Sequence, residues 1–323
     1  MIFERKKTLE LINSSLEEYK FGNDPKELYE PIKYILSLGG KRLRPFLTLA
    51  AANLFTDDYT RALKPALAVE VFHNFTLMHD DIMDKAPIRR NKPTVHEKWN
   101  SNIAILSGDV MFVKAYDLLL EADKEHLPEA IRLFNKCAAE VCEGQQHDMN
   151  FESREMVSEE EYLHMIKLKT AVLLGFSLRL GALLSGASKK DAELLEEAGI
   201  NIGLGFQLKD DLLDVFGEQN KVGKKTGGDI AANKKTFLLI KALELANKDQ
   251  KQNLINLLAS SNEEEKIKKV TALYNELQIE KLAEKKAEQH FSKGLQNLKA
   301  VDAPIYKKNM LKDFILSLMK REN

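Results

Sequence analysis

Between Pro128 and Pro304 the chain contains no proline, and that interval decides what it can fold into. A proline inside a helix removes a backbone donor, clashes with the preceding turn and costs about 3 kcal/mol. So long a run without one, rich in Leu, Ala, Glu and Lys, reads as consecutive helices. Apolar and polar alternation bounded by Asn-Gly or Asp-Gly turns is missing, so strand signals are nearly absent. The expectation is an all-α chain.

Breaks are expected near FGNDP (21–25), LGGKRLRP (38–45), KAPIRRNKP (85–93), SGASKKD (185–191) and GKKTGGD (223–229). Between them, TAVLLGFSLRLGALLSG (170–186) is apolar almost all round and belongs inside a bundle, whereas residues 262–291 are charge-laced and suit outer helices. No linker-like stretch or short repeat interrupts the sequence, so residues 1–323 read as one large domain.

Lys plus Arg is 48 against 49 for Asp plus Glu, and a formal charge of -1 gives no global reason to expect a nucleic-acid or membrane-surface partner. Any electrostatic function must be local. No segment reaches the roughly 18 uncharged apolar residues of a membrane span. Cys137 and Cys142 lack zinc-site spacing and are too few for a disulfide framework, so both read as small core residues in a reducing, cytoplasmic setting.

Local charge concentrates in HDDIMDKAPIRRN (79–91), at the end of an apolar segment that has no glycine or proline between Pro65 and Pro87. At about 100° per residue, Asp84 falls about 40° from Asp80 and Asp81 about 100° from it, so the three carboxylates share one sector. Like charges on an apolar helix are costly unless cations compensate them, and hard divalent ions with oxygen ligands suit carboxylates. GLGFQLKDDLLDVFG (203–217) repeats the D-D-x-x-D spacing at Asp210, Asp211 and Asp214, with Gln207 on the same face. Two such faces opposed across a bundle would line a cavity with six carboxylates, a place for metal ions and a polyanion bound through them.

Basic residues stand nearby in the sequence. GGKRLRP (39–45) sets Lys41, Arg42 and Arg44 on glycine-rich backbone, and Arg89 and Arg90 follow Asp84 across the Ala86-Pro87 break. Guanidinium forks suit bidentate phosphate contacts. The tight cluster of acids and bases reads as unpaired, the aspartates awaiting metal and the arginines awaiting phosphate. Lys169 with Thr170, Lys224 and Lys234 fall at or near expected helix ends, and His73, about 20° from Asp80 on the wheel, shares its face.

In chain order, GGKRLRP, the first DDxxD with its downstream RR, GQxxD (Gly144, Gln145, Asp148), the Lys169-Thr170 pair and the second DDxxD after Gln207 resemble the trans-isoprenyl diphosphate synthases. The resemblance runs from about residue 39 to 236. It implies a helical bundle around a central cavity, usually a homodimer, in which the aspartate motifs hold three Mg2+ ions that bridge an allylic diphosphate. By it, Lys41, Arg44, His73 and Arg90 would bind isopentenyl diphosphate. Arg89, Lys169, Thr170, Gln207, Lys224 and Lys234 would meet the allylic partner, which is dimethylallyl, geranyl or farnesyl diphosphate. Two departures stand out: Asn91 replaces the glycine common after the arginines, and NKKTFL (233–238) lacks the glycine and proline of the family's GKxTxP.

On that reading the assembled charges nearly cancel. Six aspartates and two diphosphates give about -12, while three divalent ions and seven basic side chains give about +13. Ionisation of the allylic diphosphate, attack by the alkene of isopentenyl diphosphate and loss of a proton, with released pyrophosphate as the available base, lengthen the chain by five carbons. In this family the residues four and five before the first aspartate help set product length. Here they are Thr76 and Phe75, and an aromatic there implies a short C15–C20 product. The alternatives are a longer-chain synthase, a class I terpene or squalene-type synthase, and a noncatalytic subunit that tunes a catalytic partner.

Overall fold

A computed structural model of the chain describes residues 3–217 and 226–319. It is all-α apart from one two-stranded ribbon, and it divides into two compact units, residues 1–135 with 176–193, and 136–175 with 194–323.

The first unit opens with α1 (Arg5–Glu18), α2 (Lys26–Ser37), α3 (Leu43–Phe55) and α4 (Leu63–Met83). Next come the strands β1 (Ile88–Arg89) and β2 (Lys92–Pro93), the single turn α5 (Val95–Lys98), α6 (Ser101–Leu119) and the start of α7 (Leu127–Glu152). Helix α4 is central, packing against both α3 and α6. From Pro65 to Phe72 it is buried without a break, which fits a helix with no polar face. Phe72, Phe112, Phe134 and Phe176, drawn from four separate helices, meet as an aromatic core with ring centroids 5.1 to 6.1 Å apart.

The second unit takes the rest of α7, then α8 (Glu159–Ile166), a π turn over Lys167–Ala171, the start of α9 (Val172–Leu183) and most of α10 (Lys189–Phe216). Beyond these lie α11 (Gly228–Ala231), α12 (Phe237–Leu245), α13 (Lys248–Leu258), α14 (Glu263–Glu276), α15 (Ile279–Ala300) and α16 (Ile305–Met319). Ser158 begins α8 with a capping box, its hydroxyl accepting from Glu161 N while the Glu161 carboxylate accepts from Ser158 N. Two glycines clamp the π turn. A Cβ on Gly144 would lie 2.2 Å from Lys169 N, and one on Gly203 would lie 2.6 Å from Ala171 Cα, so α7 and α10 close on the turn at van der Waals distance.

Several expectations need correcting. The break at 85–93 is a β-hairpin pairing Ile88 with Pro93 and Arg89 with Lys92. Its two loop residues, Arg90 and Asn91, have φ of 51° and 61°, the left-handed pair of a type I′ turn, without the glycine that would have signalled it. Lys169 and Thr170 stand in the π turn that joins the end of α8 to the start of α9, near the helix ends expected for them. Cys137 is buried but Cys142 is exposed.

Arg42 is set apart from Lys41 and Arg44 in the basic loop. Left-handed backbone (φ 46°) just before α3 turns it inward, and it is 5% exposed. Its guanidinium binds Glu70 Oε1 at 2.8 Å, Leu36 O at 2.7 Å and Asn13 Oδ1 at 3.1 Å, so α1, α2 and α4 are tied at one point. Asn74 donates to the same Glu70 oxygen at 3.1 Å. Removing one member of a buried pair strands the other charge, at a cost of about 3–5 kcal/mol. Glu70→Leu is therefore expected to lower stability by about that amount in urea unfolding. The double variant Arg42→Met/Glu70→Leu should recover much of the loss.

Candidate active site

The first aspartate motif and both basic loops belong to the first unit. Asp80 is half-buried, Asp81 is buried at 2% exposure, and Asp84 caps the C-terminus of α4 and is exposed. The hairpin carries Arg89 back over the helix end. Its Nε lies 2.9 and 2.8 Å from the two oxygens of Asp81, and Nη2 is 2.7 Å from Oδ1. The acids and bases of HDDIMDKAPIRRN are thus not all left unpaired: a carboxylate out of water recruits the guanidinium that the turn brings within reach.

Arg90 points to the other basic loop. It donates to Gly39 O, and its guanidinium fills the space that a Gly40 side chain would occupy, 2.8 Å from an ideal Cβ. Gly39 and Gly40 have φ of 78° and 135°, so GGKRLRP needs glycine both for its backbone and for this approach. Arg44 donates from Nη1 to His73 Nε2 at 3.0 Å. Burial first, then the positive charges of Arg44, Arg90, Arg89 and Arg42, hold the His73 pKa well below the usual imidazole value. His73 is therefore a neutral acceptor that orients Arg44. Lys41 is exposed at the rim of this loop. Thr76 bonds the His73 carbonyl at 2.8 Å, and Phe75 stacks on Phe112 with centroids 5.2 Å apart and planes 17° apart.

The second motif lies in the second unit, around a cavity of about 110 Å3 lined by Asp148, Tyr162, Lys169, Thr170, Gln207 and Asp211 among others. Asp229 and Lys234 also line it. Lys169 Nζ bonds Asp148 Oδ2 at 2.6 Å. Thr170 donates to Gln207 Oε1 at 3.3 Å, and Gln207 donates from Nε2 to Asp211 Oδ1 at 3.2 Å. Asp214 accepts from Asp229 N at 2.9 Å, which holds the turn before α11 against the end of α10. Asp210 is half-buried one residue before Asp211, and Lys234 Nζ stands 3.9 Å from Asp229 Oδ1. Lys224 lies outside the described residues.

Burial, then the charge of Asp229, pushes the Asp211 carboxyl up to about 8; burial and Asp214 raise Asp229 to about 6. Crowded carboxyls that keep protons near neutrality are a donor set a hard cation can take over, since its charge would replace those protons. Among the described residues no three acidic, histidine or cysteine side chains close on one point. A cation held there would have to take water or ligand oxygens as well, which is the coordination that Mg2+ prefers.

Sequence reasoning missed Tyr162, Asp229 and Glu70. Tyr162 carries no local signal, while Asp229 could have been noticed as an acid set in the glycine turn of GKKTGGD, 15 residues after Asp214. Glu70 shows as a lone acid in the apolar run PALAVEVF (65–72).

The profile of the polyprenyl synthetase family matches residues 25–277. The chain belongs to that family. It is 42% identical over 270 residues to the short chain isoprenyl diphosphate synthase of Methanocaldococcus jannaschii, covering 83% of this chain and 81% of that protein. With the geranylgeranyl pyrophosphate synthase of Geoglobus acetivorans it shares 43% identity over 236 residues, 72% of this chain and 74% of the other. A crystal structure of a geranylgeranyl pyrophosphate synthase superposes with a TM-score of 0.95 at 43% identity, covering 100% of both chains. As a polyprenyl synthetase the chain is a trans-prenyltransferase, and the all-α fold is the one that solved relative shares.

The raised carboxyl pKa values fix a pH dependence. Unfolded aspartates lose their protons near pH 3.9. Folded Asp211 and Asp229 keep theirs to about 8 and about 6, so folding takes up protons throughout that window. Their contribution to stability is complete below about pH 4 and is lost as pH rises to about 8. In chelator-treated protein, thermal melts should show Tm falling across this range, with a shallower fall in Asp211→Asn.

Proposed function

We propose that this polyprenyl synthetase extends allylic diphosphates (dimethylallyl, geranyl or farnesyl) with isopentenyl diphosphate, releasing short-chain trans products of C15–C20. The observation that carries the reading is the second-unit cavity, where Lys169 is held by one carboxylate beside a crowded group of others. Such a surface suits a polyanion that arrives together with cations.

Asp80, Asp81 and Asp84 in the first unit and Asp210, Asp211 and Asp214 in the second are the groups that would hold Mg2+. When bound, Mg2+ would supply positive charge to a diphosphate leaving group. The chain's own residues do the rest. Lys169 and Lys234 present N–H donors to phosphate oxygens, so negative charge developing on the leaving diphosphate is stabilised. The π turn brings the Thr170 hydroxyl to Gln207 Oε1, which orients that amide. In the first unit Lys41, Arg44 and Arg90 form a phosphate-binding group whose guanidinium planes are set by His73 and by the Gly39–Gly40 backbone. Arg89 spends Nε and Nη2 on Asp81, so a phosphate would compete with that carboxylate for its guanidinium. The aromatic ring of Phe75, backed by Phe112, closes one side of α4 with apolar surface that excludes water and limits chain growth.

A homodimer is supported by α6 and its C-cap Leu120. Leu106, Val113 and Leu120 recur every seven residues and are 58%, 57% and 53% exposed, an apolar seam suited to a second copy. No helix among the described residues is long and apolar enough to cross a membrane, and we place the enzyme in the cytoplasm.

Purified protein, labelled isopentenyl diphosphate, Mg2+ and each allylic diphosphate should give C15–C20 products by chromatography, and chelation should stop turnover. Failure of the chain alone to turn over would favour the noncatalytic-subunit reading. Phe75→Ala should shift products to longer chains; an unchanged distribution removes Phe75 as the floor. In sedimentation the protein should run as a dimer and Leu106→Lys/Val113→Lys as a helical monomer, whereas a monomeric parent would exclude the dimer.

A further inference from the structure

Tyr162 lies in α8 at 2% exposure, and its hydroxyl donates to Asp211 Oδ2. The other oxygen of that carboxylate accepts from Gln207 Nε2, and Gln207 in turn accepts from Thr170. The four side chains line one cavity.

The two donors to Asp211 do different things. Gln207 is four residues earlier on the same helix, so it ties Asp211 to another element only indirectly, through the Thr170 hydroxyl. Tyr162 comes from a different helix. The terminal torsion of an aspartate is broad, and a donor on each oxygen, from separate elements, is what holds the carboxylate plane. The helix that supplies the phenol also runs directly into the π turn, placing Lys169 seven residues after Tyr162. One continuous segment therefore carries both the lysine that faces the cavity and the phenol that holds its carboxylate.

We propose that Tyr162 is a positioning residue for the second aspartate motif, holding the Asp211 carboxylate in a fixed orientation before a divalent cation arrives. The inference rests on the cation-binding role proposed above for that motif. Groups that orient a metal-binding side chain from outside change metal affinity by about 10- to 100-fold when removed. Tyr162→Phe keeps the buried ring and deletes only the hydroxyl, so the packing of α8 is preserved.

The test uses Mn2+ alone as the probe, with the loss of its free-ion EPR signal reporting binding to the full chain. Tyr162→Phe should weaken Mn2+ binding by about 10- to 100-fold. In an Asp211→Asn background the same substitution should add little further loss, because the phenol acts through that carboxylate. A Tyr162→Phe protein that melts at lower temperature but binds Mn2+ as tightly as the parent would overturn the proposal. So would additive losses in the double variant. If the parent itself binds no Mn2+, the cation reading of the motif fails as well, and that result is distinct from a parent that binds and a variant that binds equally.

Discussion

Acids brought together out of water repel one another, and each unit of this chain meets that repulsion in its own way. In the first, a hairpin returns Arg89 to Asp81, so a guanidinium cancels the most buried carboxylate of the motif. In the second, protons, a phenol and an amide quiet Asp211, while a lysine engages Asp148. Helix order, the clamped π turn and the left-handed loop residues all serve to bring these compensating groups to carboxylates they are not next to in sequence. With a formal charge of only -1 over the chain, compensation has to be made locally.

The helices were legible because one physical fact, the cost of proline inside a helix, covers more than half the chain at once. The aspartates were legible because their spacing places them on one helical sector whatever the tertiary structure. What stayed hidden depends on partners far away in sequence. Tyr162 meets Asp211 across 49 residues, and nothing about a single tyrosine in a short amphipathic helix announces it. Arg42 and Arg44 look equivalent in GGKRLRP, yet one residue of left-handed backbone sends the first into an ion pair with Glu70 and leaves the second to His73. The hairpin escaped notice because two residues per strand are too few to show alternation.

The two departures from the family's sequence pattern have a common backbone cause. Asn91 stands where glycine is usual, and its φ is 61°; Asn233, at the start of NKKTFL, has φ 54°. Both positions require the left-handed region, and asparagine is among the side chains that tolerate it best. Glycine and asparagine both suit that region, so neither substitution strains the backbone beside Arg90 or Lys234. Leu238, where the pattern has proline, is buried in the first turn of α12 and keeps its backbone N–H.

The contact between Arg89 and Asp81 has thermodynamic meaning. While they hold each other, neither the carboxylate nor the guanidinium is fully open to a ligand. A cation that captures Asp81 releases Arg89 for an anion, and an anion that captures Arg89 releases Asp81 for a cation. Each ligand meeting the pair alone must break it; the two arriving together break it once. Linkage then requires that each raise the affinity of the other by the same factor. A cation at Asp81 and an anion at Arg89 would thus be coupled through one ion bridge, broken once for both.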